Sequence, residues 1–266
     1  MSDGEGATLM LAMFAAAWLW GRWYFDVFTL GGMLRNSVSR RTLAIAPLVA
    51  FLLVFAVLKF WASADVRDSP TYLLFYLVLG GAWTGFAARL PIRWLGLSAR
   101  DDALERANAP AAIAIGGAIV GVALCYAGGN IGDGPGWWVV LFCMLLSTAA
   151  FAVLWLVLEK LGRLSETITV HRDPAAGVRA AGFFIGLGAI LGRSVAGNWI
   201  SAGATVRDFA VHGWPALALT FVAVVVERVC RPTPARPFLP VATYGVAPSL
   251  FFVAAGAAAV LERGGW

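Results

Sequence analysis

The chain reads as an all-α integral membrane protein, with eight transmembrane helices built from repeated two-helix hairpins. Three observations predict that class: a large apolar excess, a helix pattern that recurs at a fixed spacing, and basic residues gathered on one side of the predicted spans. Of 266 residues, 60% are hydrophobic and 13% charged, and the mean hydropathy is +0.79. Soluble domains carry about 25% charged residues. A bilayer core takes roughly 20 apolar residues per helix, so this length holds about eight spans with little left over. The longest polar stretch, residues 89–107, is too short for a separate soluble domain. One membrane domain over residues 1–266 follows, with any activity confined to the bundle and its short loops.

In chain order, residues 1–7 are short and acidic (Asp3, Glu5) and lack the basic start of a signal peptide. Residues 8–23 are therefore expected to form a retained first span, with Arg22 behind it. Further apolar runs cover residues 43–61, 71–88, 110–127, 137–158, 174–191, 209–226 and 241–261. The seventh includes Pro215, which neighbouring helices can accommodate within a membrane.

The return helices repeat. The stretch from Asn108 through Gly117 to Gly121 recurs 65 positions on as Asp173, Gly182 and Gly186. At a further offset of 68, Gly177, Val178, Phe183, Phe184, Gly188 and Ala189 meet identical residues at 245, 246, 251, 252, 256 and 257. Glu159 and Glu227, at the ends of spans five and seven, share that offset of 68. The predicted unit is a hairpin: an inward helix, a basic loop, then a Gly/Ala-rich helix coming back. Units at about 71–127, 137–192 and 209–261, with a diverged one at 8–62, keep one orientation. They imply parallel repeats related by pseudo-symmetry about the membrane normal.

Loops after odd-numbered spans hold thirteen Lys or Arg, against five on the opposite side. The positive-inside rule then places both termini on the non-cytoplasmic side of a bacterial inner membrane. Trp20, Trp23, Trp94 and Trp155 near one boundary, and Trp61, Trp137, Trp138, Trp199 and Trp214 near the other, are expected to anchor at the interfaces. Topology accounts for the net charge of +5, so nucleic acid is not an expected partner. The bilayer is, together with a homo-oligomer or other envelope proteins.

At Asn108, Ala112, Gly117 and Gly121, with the second copy led by Asp173, the chain resembles the bacterial inner-membrane family called domain of unknown function 350. The acidic lead-in Asp101, Asp102 and Glu105 is part of that likeness, which is clearest over residues 71–197. The resemblance implies tandem hairpins with Ala/Gly-rich second helices in the inner membrane, and no established activity.

Candidate residues are few. The small-x-x-x-small pairs Gly81–Gly85, Gly117–Gly121 and Gly182–Gly186 suit close helix packing, and a backbone-lined cleft is the competing reading. Arg179 is charged where its repeat equivalents are Ala114 and Ala247. Such a residue marks a structural ion pair, a snorkelling side chain or a solute contact. Glu159 and Glu227 oppose the dipole at helix C-termini and need partners; Glu159 is the expected partner of Arg179, and the three form the candidate intramembrane polar site. Asn108 and Asp173 are expected N-caps. Cys125, Cys143 and Cys230 have no disulfide or zinc spacing, and His171 and His212 fall on opposite sides. With no HExxH, GxSxG or P-loop sequence, no catalytic residue, metal site or cofactor is expected, and the protein is read as a non-enzyme. Two functions stand almost level: a channel- or transporter-like bundle for a small solute or ion, and a membrane scaffold or partner of another envelope protein.

Overall fold

The structure, a computed structural model, describes residues 2–30, 38–89, 95–233, 239–262 and 265. Arg35, Arg93, Trp94, Arg236 and Arg263, all used in the topology argument, lie outside the described residues. Helices dominate, and the described residues contain no β-sheet. The long helices are α1 (Asp3–Thr29), α2 (Val38–Phe60), α4 (Pro70–Arg89), α6 (Ala109–Gly128), α7 (Trp137–Gly162), α9 (Pro174–Val195), α10 (Ala202–Val229) and α11 (Ala247–Leu261). Shorter pieces join them: α3 (Ala64–Arg67), the π-helical α5 (Ala99–Glu105), α8 (Leu164–Thr169) and a π-helical lead into α11 (Ala242–Val246).

Seven helices are long and apolar enough to cross a membrane: α2, α4, α6, α7, α9, α10 and α11 with its π-helical lead. Each coincides with an expected span. The first expected span does not join them. Residues 8–23 lie inside the longer α1, whose tryptophans and Arg22 dilute its hydropathy. Pro215 sits inside α10, which at 28 residues is the longest helix.

Four helices pack as an inner row in the order α2–α6–α9–α11, and α1, α4, α7 and α10 pack against it. The two middle helices of the row, α6 and α9, are buried along most of their length. Glycine makes this approach achievable. A Cβ on Gly177 would stand 2.6 Å from Cα of Pro110, and one on Gly245 3.0 Å from Cα of Ala175. Likewise Gly117 abuts Ala181, and Gly182 abuts Ser249, where the added Cβ would lie 2.6 Å from Cα. The α6–α9 and α9–α11 contacts thus use corresponding residues, 65 or 68 positions apart. The outward faces carry the opposite chemistry: Leu11, Phe14 and Trp18 of α1, Leu52 of α2 and Phe221 of α10 are all more than half exposed.

One end of the bundle gathers the C-termini of α1, α4, α7 and α10 with α5 and α8. There Arg89 pairs with Asp26 at 2.9 Å, Arg231 with Glu166 at 2.6 Å, and Arg172 donates to the carbonyl of Arg106. This is the basic end; the opposite end holds α3 and the loop from Gly129 to Gly136.

Candidate functional site

Prolines inside the apolar helices create local polarity. A proline has no N–H, so the carbonyl four residues earlier is left without its helical donor. In α2, Pro47 frees the carbonyl of Leu43, and the buried indole of Trp23 donates to it at 3.0 Å. Tyr24 donates to the neighbouring carbonyl of Ala44 at 3.1 Å, and Trp20 to that of Gly81 at 2.8 Å. These bonds fasten α1 to α2 and α4. At the start of α11, just before Pro248, Arg179 Nη1 donates to the carbonyl of Tyr244 in the π-helical lead at 2.6 Å.

Arg179 is fully buried. Its guanidinium forms a bidentate pair with Glu227, Nε to Oε1 at 2.8 Å and Nη2 to Oε2 at 2.9 Å. Asp173 Oδ2 stands 3.8 Å from Nη2 and caps α9 through the N–H groups of Ala175 and Ala176. A buried guanidinium is tolerable because planar two-point pairing and the Tyr244 carbonyl replace its water. Snorkelling is excluded by this burial.

The expected Glu159–Arg179 pair is not formed. Glu159 instead accepts from the backbone N–H and hydroxyl of Ser165, at 2.8 and 2.5 Å. Its charge therefore faces the N-terminus of α8, where it is favourable. The reason lies in which helices abut. Arg179 on α9 meets Glu227 on the next hairpin's α10; the corresponding residues one interface earlier are Ala114 and Glu159, and alanine offers Glu159 no cation. Asn108 and Asp173 both act as caps, as expected, and Asn108 also donates to the carbonyl of Ile168 at 2.8 Å.

Two further expectations need correction. Trp23 and Trp155 are buried instead of lying at an interface. Trp23 answers the freed Leu43 carbonyl, and Trp155 packs on Phe184 with ring centroids 4.1 Å apart. Gly81 meets nothing where a Cβ would go; in that stretch Gly80 packs under the Tyr126 ring, and Gly85 against Trp20. Gly117, Gly121, Gly182 and Gly186 are all in tight packing.

Three cavities border α1 and α4; α2 helps to line the first two, and α3, the loop from Gly129 to Gly136 and α7 help to line the third. At the basic end, one of about 390 Å3 is lined by Arg22, Asp26, Arg89, Arg100, Asp101 and Glu105 among others. Arg89 Nε there is buried without a hydrogen-bond partner. The hydrogen bond to Glu105, 3.0 Å long, holds the Arg100 guanidinium above its ordinary pKa. A gap of about 30 Å3 lies between Trp20, Pro47, Ala50, Gly81 and Thr84. At the opposite end a cavity of about 210 Å3 is lined by Glu5, Asp65, Tyr72, Tyr76, Asn130 and Asp133 among others. Arg179 lines none of the three. Sequence reasoning missed these cavities because their walls come from distant segments.

Comparison with protein-family models, curated proteins and solved structures finds no match to this chain.

Proposed function

We propose that the protein is a multi-pass inner-membrane protein that passes a small solute or ion along the α1–α2–α4 flank. One observation carries this reading: polar cavities stand at both ends of α1 and α4, with a small gap beside α2 between them. The Arg179–Glu227 pair is then a structural fastening, not a solute contact. In this reading α1 is the eighth span. Its 27 residues extend about 40 Å at 1.5 Å per residue, and Leu11, Phe14 and Trp18 turn apolar surface outward. The corresponding glycine contacts at α6–α9 and α9–α11 support three parallel hairpins, with α1 and α2 as the diverged fourth; tandem hairpins are what the resemblance to domain of unknown function 350 implies. The concentration of arginine at the basic end supports placing that end in the cytoplasm and both termini opposite. No catalytic chemistry is proposed.

Flux of small ions and amines into liposomes containing the purified protein tests the reading. Gly81→Phe would project a ring into the gap and is expected to reduce flux at least tenfold while the protein stays folded. Absence of flux for every solute tried, or flux indifferent to Gly81→Phe, would overturn it.

A second reading, a scaffold that holds a homo-oligomer or another envelope protein, is favoured by the inner row. Its helices touch backbone to backbone, and the fully buried Arg179 near the start of α9 is paired with Glu227. A protein that carries no solute but elutes with a stoichiometric membrane partner would fit that reading.

A further inference from the structure

A fourth hollow, lined by the inner row alone, shares no residue with the three cavities that border α1 and α4. It is a groove of about 370 Å3 along α2, α6 and α9. Helical spacing turns one face of each helix to it: Ile45 and Val49 on α2, Gly117 and Val120 on α6, Ala181 and Ile185 on α9. α6 is recessed between its neighbours, and its glycines keep the floor low. A Cβ on Gly116 would stand 3.3 Å from Cγ2 of Thr42, and one on Gly117 2.7 Å from Cβ of Ala181. Ile45 and Val49 on the α2 wall are exposed, so the groove opens outward.

The groove also has a charged mouth. α2 begins at the basic end, where Arg40 turns inward and donates to the carbonyl of Leu30. Along α2 the groove runs from Val38 to Val49, about 16 Å at 1.5 Å per residue. That is half of a hydrocarbon core roughly 30 Å thick, the depth of one leaflet. Arg41, in the first turn of α2, is the one charged residue of the described lining. It is exposed and has no ion pair among the described residues, which include every Asp and Glu of the chain. At the same end Arg22, Arg89, Arg100, Arg106, Arg163 and Arg231 each have a carboxylate partner. A cation in a first turn also opposes the helix dipole. The arginine and the helix end therefore both call for an anion.

We infer that this groove holds an anionic phospholipid of the basic-end leaflet, one acyl chain over Gly117 and Ala181 and the phosphate on Arg41. A guanidinium can grip phosphate oxygens through two parallel hydrogen bonds, and a net negative headgroup adds attraction that a zwitterionic one lacks. An unfilled hollow forfeits the dispersion contacts of its lining, and in a bilayer the filler at hand is an acyl chain. A second copy of the chain fits less well. Copies inserted in one orientation bring their basic ends level, and the carboxylates of that end are already held by arginine or serine. Such a partner has no free anion for Arg41. The site is separate from the flank pathway and does not rest on it.

The test is native mass spectrometry of the full chain, purified and delipidated in detergent, with phosphatidylglycerol and phosphatidylcholine of identical acyl chains at equal concentration. The unmodified protein should retain phosphatidylglycerol at least about fivefold more strongly, the weight of one arginine at anionic lipid. Arg41→Gln, at an exposed position, should remove about that fivefold preference and leave Tm unchanged. Lys160→Gln makes the same charge change at the same end, outside the groove, and should keep the preference. Val120→Trp should fill the groove and lower retention of both lipids alike. Equal retention of the two lipids by the unmodified protein, a preference that survives Arg41→Gln, or an equal loss in Lys160→Gln would each overturn the inference. A lipid-free dimer that Val120→Trp dissociates would overturn it too, and would give the groove to a second copy.

Discussion

Breaking the Arg179–Glu227 pair gives the sharpest test of how the helices are fastened. Removing one partner of a buried ion pair leaves an uncompensated charge and costs about 3–5 kcal/mol. After Glu227→Gln, Arg179 keeps the Tyr244 carbonyl at 2.6 Å and Asp173 at 3.8 Å, so the loss should fall near about 3 kcal/mol. After Arg179→Gln, Glu227 stays buried and Asp173 repels it, so the loss should approach about 5 kcal/mol. Replacing both by apolar residues, Arg179→Met with Glu227→Leu, removes the desolvation cost along with the pair. That double variant should lose less than either single one. Thermal unfolding in detergent reads these differences, with single-variant drops in Tm on the order of 10 °C. Glu159→Gln is the control, since it disturbs only the cap on α8, and its effect should add to that of Arg179→Gln. Additive losses for Arg179 and Glu227, or strong coupling between Arg179 and Glu159, would refute the assigned partner.

Three further outcomes follow from the same geometry. Trp23→Phe leaves the Leu43 carbonyl unpaired and should cost about 1–3 kcal/mol; in a Pro47→Ala background the restored N–H answers that carbonyl, so the loss should shrink, and an equal loss in both backgrounds would count against the proline argument. Gly117→Ala sets a Cβ 2.7 Å from that of Ala181 and should lower the yield of monodisperse protein on size exclusion. Gly81→Ala, with open space around it, should keep stability or raise it by up to about 1 kcal/mol; the opposite ranking would contradict the packing. Burial raises the Cys230 thiol above its ordinary pKa despite the nearby Arg179 charge. The reactive thiolate is then scarce at neutral pH and grows as pH rises. With Cys125 and Cys143 replaced by alanine, alkylation by iodoacetamide should reach half its maximal rate above about pH 8.5, and a midpoint at or below that would overturn the assignment.

Much of the fold was legible because apolar runs and glycine spacing are local signals. Seven spans fell where hydropathy put them, and Asn108 and Asp173 were readable as caps from the helix patterns that follow them. The first span was less so, since Trp18, Trp20, Trp23 and Arg22 weaken its apolar character while serving contacts that only the fold supplies. Arg179, Glu159 and Glu227 stood out as charges within or at the ends of apolar segments. Choosing between the glutamates required knowing that α9 lies beside the following hairpin's α10. A signal did exist at Pro47, four residues after Leu43: it marks a carbonyl in search of a donor. The acidic cavity had no such signal. Glu5, Asp65, Asn130 and Asp133 are far apart in sequence, and the one local hint was a loop from Gly128 to Gly136 without a basic residue.

The polar contacts and the glycines answer each other. Helices lined by Gly and Ala approach closely, but their smooth faces provide few knobs to stop one sliding past the next. Polar contacts at the basic end supply that stop. Between α6 and α9 it comes from Asn108 donating to Ile168 and Arg172 to Arg106. Between α9, α10 and α11 it comes from Arg179, which engages Glu227 on one neighbour and the Tyr244 carbonyl on the other. A guanidinium with its donors spread over two helices fixes both registers at once, whereas alanine at the same place in α6 leaves that duty to flanking residues. The charge at position 179 therefore belongs with the glycines around it, as the lock that smooth packing requires.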